Sequence, residues 1–245
     1  MSIVVLGAVF VDIKGYPLSS YIPGGRNAGR VVQVHGGVSR NIVEDIANVE
    51  LRPTFVSLVD ETSAGADVIR KLKSHKVDTR YIRATPDGMG TWLAIFDNTG
   101  DVTASISKRP DLSPIADILD EQGDEIFSQA DSVLLEIDME KDTVKRTFAL
   151  AEKYPQIGIR ISIEGLSCKN DELRGHAGGF DKGLRTLLAL KQMGLKDIGF
   201  GCTVSNNNYK DMLSLYQLSL SLGMEFATAA FHNSYYFHKD DNVIT

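Results

Sequence analysis

The chain of 245 residues and 26.8 kDa has room for one large α/β domain or two small ones, and it can bury a core without disulfides or metals. Its 43% apolar and 24% charged residues are those of a globular protein and exclude collagen-like, coiled-coil and disordered chains. A net charge of −6 supplies no basic field for nucleic acid or an anionic membrane, and no run of about 18 apolar residues is present to span one, so neither partner is expected.

In chain order, Ile3 to Phe10 is a nearly continuous apolar run that predicts one central strand, buried on both faces, with Asp12 at its carboxyl end. No basic segment precedes it, which argues against a signal peptide. Residues 13–34 hold Gly15, Pro17, Pro23, Gly24, Gly25 and Gly29 and read as a loop entering a short peripheral strand at Val31–Val34. Gly36-Gly37 opens a helix over Ser39–Asn48, whose Ile42, Val43, Ile46 and Ala47 form an apolar face. A strand at Thr54–Val59 and a helix at Ala64–His75 follow. Between Gly90 and Ser107 the period changes to two, and Asp97-Asn98-Thr99-Gly100 reads as the turn of a β-hairpin.

Next come a helix around Ile115–Gln122, a strand at Ser132–Ile137 and a helix at Lys141–Lys153. Beyond Tyr154-Pro155 the text is a β-α-β-α-β series: strand Ile157–Ile163, helix Lys182–Met193, strand Asp197–Val204, helix Tyr209–Leu222 and strand Glu225–Ala230, which implies parallel strands. Charge shifts at the same place. Residues 1–153 hold 17 Lys and Arg against 23 Asp and Glu, whereas residues 154–245 hold 9 of each. Two segments are therefore expected, 1–153 and 154–245, either with one sheet continuing across the seam or as two abutting subdomains. Cys168 and Cys202 make neither a disulfide framework nor a CxxC pair; both are expected to be buried, and a cytoplasmic location fits.

The ordered set Gly7-x-x-x-x-Asp12, Gly36-Gly37-Val38-Ser39-Arg40-Asn41 and the Asp97–Gly100 hairpin resembles the amino-terminal half of a PfkB/ribokinase-family carbohydrate kinase, in a form near pseudouridine kinase and other nucleoside kinases. The resemblance implies a ribokinase-like, mostly parallel doubly wound sheet with a small β flap. It also implies transfer of phosphate from ATP, with Mg2+, to a sugar hydroxyl. Asp12, Gly36, Gly37 and Asn41 would hold the sugar, Arg40 would sit beside it, the hairpin around Thr91 would cover it, and Asp138 would add a polar contact. The residue chemistry agrees: glycines admit close backbone approach, while Asp12 accepts and Asn41 both gives and takes hydrogen bonds, as a vicinal diol requires. A sugar or nucleoside is the expected partner, together with a second copy of the chain as a homodimer.

The family's Gly-Ala-Gly-Asp element, an anion hole followed by a base, is not found in the 245 residues. The nearest text, Ala177-Gly178-Gly179-Phe180-Asp181, places Phe180 between glycine and carboxylate. The chain is therefore read as a kinase lineage without its catalytic half, and its status as an enzyme stays open. Residues 156–238 resemble a mid-barrel fragment of a radical S-adenosylmethionine enzyme, through Ser162-Ile163-Glu164-Gly165, Arg174-Gly175 and Gly179-Phe180-Asp181. That resemblance would place Ser162 and Arg174 near S-adenosylmethionine. Two cysteines cannot hold its [4Fe–4S] cluster, so neither cofactor is expected. No metal site is assigned, and His232 and His238 read as surface residues. The alternatives to a sugar or nucleoside kinase lineage are thus a radical S-adenosylmethionine fragment without its cluster and a non-catalytic fold chimera, natural or engineered.

Overall fold

The computed structural model describes residues 2–136, 139–154 and 158–231, which form two compact units, Met1–Leu150 and Ala151–Thr245. The first contains β1 (Ile3–Leu6), β2 (Val9–Pro17), β3 (Gly29–Gly36), α1 (Val38–Asn48), β4 (Thr54–Asp60), α2 (Ser63–Ser74) and β5 (Ile82–Thr85). It continues with β6 (Met89–Phe96), β7 (Val102–Lys108), α3 (Pro114–Ser128), β8 (Ser132–Leu135) and the start of α4 (Lys141–Lys153).

A parallel sheet in the order β5-β4-β1-β8 makes the core of this unit. All four residues of β1 and five of the seven of β4 are buried, which explains their unbroken apolar text. Val5, Phe55, Val59, Val68 and Leu72 cluster there, with Val43 of α1 and the inward residues Val9 and Val11 of β2. Thr62 starts α2 by accepting a hydrogen bond from the Ala64 amide at 3.2 Å.

The expected single strand from Ile3 to Phe10 is two. Chain direction breaks at Gly7-Ala8, where a Cβ on Gly7 would stand 1.9 Å from Ser39 Oγ and 2.4 Å from Glu136 Oε2. β1 enters the parallel sheet, and β2 leaves it for a second sheet in the order β3-β2-β6-β7. Asp12 therefore lies within β2 rather than at a strand end, and the segment expected as a loop is mostly the β2–β3 pair. The hairpin forms as β6 and β7, antiparallel, with Asp97 Oδ1 closing its turn on the Thr99 amide and hydroxyl.

The second unit contains β9 (Ile159–Ser162), α5 (Ser167–Arg174), α6 (Gly179–Gln192), β10 (Ile198–Val204), a 3-10 turn at Tyr209–Asp211, α7 (Met212–Ser221) and β11 (Glu225–Ala230). Its sheet is parallel in the order β11-β10-β9. α5 was not anticipated, because Ser167–Arg174 is polar and carries little apolar period. Within the first unit β8 pairs with β1, and within the second β9 pairs with β10. Burial alternates along β9 as on an edge strand with one open face, unlike the fully buried β1.

Candidate functional site

The glycine turn between β3 and α1 brings three of the predicted residues together. A Cβ on Gly36 would lie 2.4 Å from Asp12 Oδ1 and 2.6 Å from its Cγ, so the Asp12 carboxylate rests directly against the Gly36 backbone. Gly37 has φ +99° and packs on the Ala8 carbonyl, a conformation and a spacing that a side chain would not tolerate. Its carbonyl accepts the Asn41 amide at 3.0 Å, which starts α1. Asp12 is also 3.5 Å from Lys14 Nζ, and the carboxylate remains partly open at 19% exposure.

Strand register then decides what shares the Asp12 face. Asp12 pairs with Trp92 and Val11 with Thr91, and side chains alternate, so Trp92 stands on the Asp12 face and Thr91 on the opposite one with Val11. Trp92 meets Phe96 edge-on at 6.3 Å, Phe96 stacks on Tyr16 at 4.7 Å, and Lys14 lies 5.8 Å from the Trp92 ring centre. The Asp12 face is thus an aromatic surface with a carboxylate at one end.

Arg40 is buried at 4% exposure. Its guanidinium pairs with Glu44, and Nη1 donates to Asn41 Oδ1 at 2.9 Å. Glu44 also meets Lys71 at 3.3 Å and His75 at 3.5 Å. Burial pushes the Glu44 carboxyl up, but Arg40, Lys71 and His75 together hold it below its ordinary range. His35 belongs to β3 and reaches Asp67 at 3.0 Å; burial and Arg40 keep it below the usual imidazole range despite that carboxylate.

Asp138 lies outside the described residues. The structure instead brings Glu136 to the carboxyl end of β8, where Oε2 accepts from Ser39 Oγ at 2.7 Å and from the Ala8 amide at 2.9 Å. Sequence reading passed over it because the strand was extended to Ile137. The available signal was the first charged side chain after the apolar run Val133-Leu134-Leu135. Ser39 and Trp92 were missed for the same kind of reason, being visible as a site only once distant strands are paired.

In the second unit Ser162 is exposed on β9, and Arg174 donates to Glu164 Oε1 at 3.2 Å. Glu164 Oε2 takes the Thr203 amide at 2.8 Å and the Cys202 thiol at 3.6 Å. Burial and the Glu164 carboxylate push the Cys202 thiol up to about 12. Cys202 is buried as expected, whereas Cys168 is exposed because it sits in the first turn of the polar helix α5. The glycine pair before α6 is filled from within the chain: Asp171 accepts the Gly178 and Phe180 amides, the latter at 2.9 Å, and these bonds hold its carboxyl low. His232 and His238 lie outside the described residues. Among the described residues no group of three or more His, Cys, Asp and Glu could hold a metal ion, and no helix is long and apolar enough to cross a membrane.

Residues 1–156 match the pfkB family of carbohydrate kinases. The chain is 30% identical over 179 residues to the guanosine-inosine kinase of Exiguobacterium acetylicum, covering 72% of this chain and 59% of that protein. It is 24% identical over 106 residues to the pseudouridine kinase of Escherichia coli K12, covering 43% and 34%. It therefore spans less than two thirds of either relative. A shorter match of 72 residues, 31% identical, is to the Fe-coproporphyrin III synthase of Methanosarcina barkeri, with 28% of this chain and 18% of that one. The structure of Arabidopsis thaliana ribokinase complexed with ribose and ATP superposes with a TM-score of 0.61 at 13% identity, over 93% of this chain and 71% of that one. The fold is ribokinase-like α/β, with mostly parallel sheets.

Proposed function

From a chain that belongs to the pfkB family of carbohydrate kinases, we propose a nucleoside-binding protein that holds the acceptor of a phosphoryl transfer, its sugar at the Gly36-Gly37 turn and its base on the aromatic face of the second sheet. One observation carries this reading: the Asp12 carboxylate is seated against Gly36 on the face that also presents Trp92.

Asp12 is an acceptor and takes a hydroxyl proton of the sugar in a charge-assisted hydrogen bond. Asn41, whose amide is bonded to the Gly37 carbonyl at the start of α1, supplies the complementary group. Glu136 orients the floor of this site by holding Ser39 and the Ala8 amide in place. Trp92, backed by Phe96 and Tyr16, offers a ring face on which a planar base stacks, worth roughly 1–3 kcal/mol by analogy with other base–aromatic contacts. A bare sugar has no such surface to cover, which favours a nucleoside.

ATP supplies the phosphoryl group in this family, commonly with a divalent metal. Among the described residues no group of three or more His, Cys, Asp and Glu could hold such a metal, and Asp171 already takes the amides at the Gly178-Gly179 pair before α6. The role proposed for this chain is accordingly to bind and orient the acceptor. Titration calorimetry with inosine, pseudouridine and ribose tests it. Heat is expected with a nucleoside and its loss in Asp12→Ala; an absence of heat with all three, or an Asp12→Ala protein that binds as the parent does, refutes it.

A further inference from the structure

Arg40 occupies a position whose energetics call for a purpose. It is buried at 4% exposure, and its Nε has no hydrogen-bond partner among the described residues. An aliphatic side chain of the same length would fill that volume without an unsatisfied donor. What arginine supplies there is the ion pair with Glu44 and the bond from Nη1 to Asn41 Oδ1, the latter at 2.9 Å.

That bond has a directional consequence. A guanidinium has donors and no acceptor, so the amide oxygen of Asn41 must face it and the NH2 must face away. Among the described residues nothing takes a hydrogen bond from Asn41 Nδ2. Arg40 is itself fixed, because Glu44 grips its other nitrogen and is in turn gripped by Lys71 of α2 and by His75 just after it. The two sides of the glycine turn then differ in polarity: Asp12 presents acceptors only, and Asn41 presents a donor.

We propose that Arg40 is a positioning residue that locks the Asn41 amide with its NH2 toward the ligand, so that the site requires a hydrogen-bond acceptor, such as a hydroxyl lone pair, at that point. The inference rests on the nucleoside reading above. A diol meets both demands, one hydroxyl donating a hydrogen bond to Asp12 while an oxygen accepts one from Asn41.

Four variants test it. Arg40→Met keeps the stem and removes the donors; Asn41→Ala removes the amide; the double variant combines them; Asn41→Asp keeps an oxygen for Arg40 but puts an acceptor where the NH2 was. Inosine binding is expected to weaken about tenfold in Arg40→Met and in Asn41→Ala, and no further in the double variant, because Arg40 acts only through Asn41. Asn41→Asp is expected to melt at the parental Tm and still lose at least about tenfold in binding. Additive losses in the double variant, or parental binding by Asn41→Asp, overturn the proposal. A second readout needs no ligand: 15N relaxation of the Asn41 side-chain NH2, rigid in the parent and mobile in Arg40→Met. Equal mobility in the two overturns the proposal, whereas a parent with a rigid amide that binds no nucleoside overturns the ligand reading alone. Should Arg40→Met not fold, Asn41→Asp and the rigidity of the parental amide carry the test.

Discussion

Replacing Gly36 by alanine isolates the contact on which the proposed site depends. The added Cβ would stand 2.4 Å from Asp12 Oδ1, 2.6 Å from Cγ and 2.8 Å from Oδ2, and each distance is too short for the carboxylate to stay. Gly36 does not have positive φ, so its backbone accepts alanine without strain. The obstacle is the end of a side chain that is 19% exposed and able to rotate, and moving it sacrifices the 3.5 Å contact with Lys14. Folding stability should fall by only about 1 kcal/mol, the low end of overpacking costs. Binding should suffer more. A hydrogen bond to a charged group contributes about 1.5–3 kcal/mol, so losing it weakens binding roughly 10- to 150-fold. Calorimetric Kd values and urea unfolding of the same samples give the two quantities. In an Asp12→Ala background the Gly36→Ala change should add nothing to the binding loss. A Gly36→Ala protein that binds a nucleoside as well as its parent would show that Asp12 does not hold the ligand from this position.

Gly37→Ala should behave oppositely: with φ at +99° and a Cβ 2.7 Å from the Ala8 carbonyl, it should lose about 1–3 kcal/mol of stability, read as a lower urea midpoint. Trp92→Ala should weaken nucleoside binding by about 1–3 kcal/mol while leaving any ribose binding unchanged, and equal losses for both ligands would place the base elsewhere. Titration with a chromogenic disulfide under native conditions should find one fast thiol, Cys168, with Cys202 reacting only on unfolding, because Cys202 is buried and its thiol is held up to about 12. His35 is kept below 6.5 in the folded state, chiefly by burial. The unfolded chain therefore takes up that proton first, so Tm should drop as pH falls below 6.5 and level off once His35 is protonated in the folded state as well. His35→Gln should flatten that part of the profile; an unchanged slope would assign it to other groups.

Local patterning was enough for much of the secondary structure. The 3.6-residue period places α1, α2 and α4, and the strand Glu225–Ala230 and the hairpin Met89–Lys108 are legible from alternation and turn chemistry, since backbone propensity and side-chain period act over a few residues. The glycine motif likewise marked Asp12, Gly36, Gly37, Arg40 and Asn41 before any coordinates. What sequence by itself determined about this protein is therefore most of its element types, its family and one half of the candidate site. Tertiary structure decided the rest. It split Ile3–Phe10 at Gly7, because Ser39 and Glu136, 97 residues apart, converge on that glycine. It set Trp92 rather than Thr91 beside Asp12, because a one-residue difference in register turns a side chain to the other face. It also set the order β5-β4-β1-β8 within the first unit, since strand pairing depends on which hydrogen-bonding edges meet, and that information lies between segments and not within them.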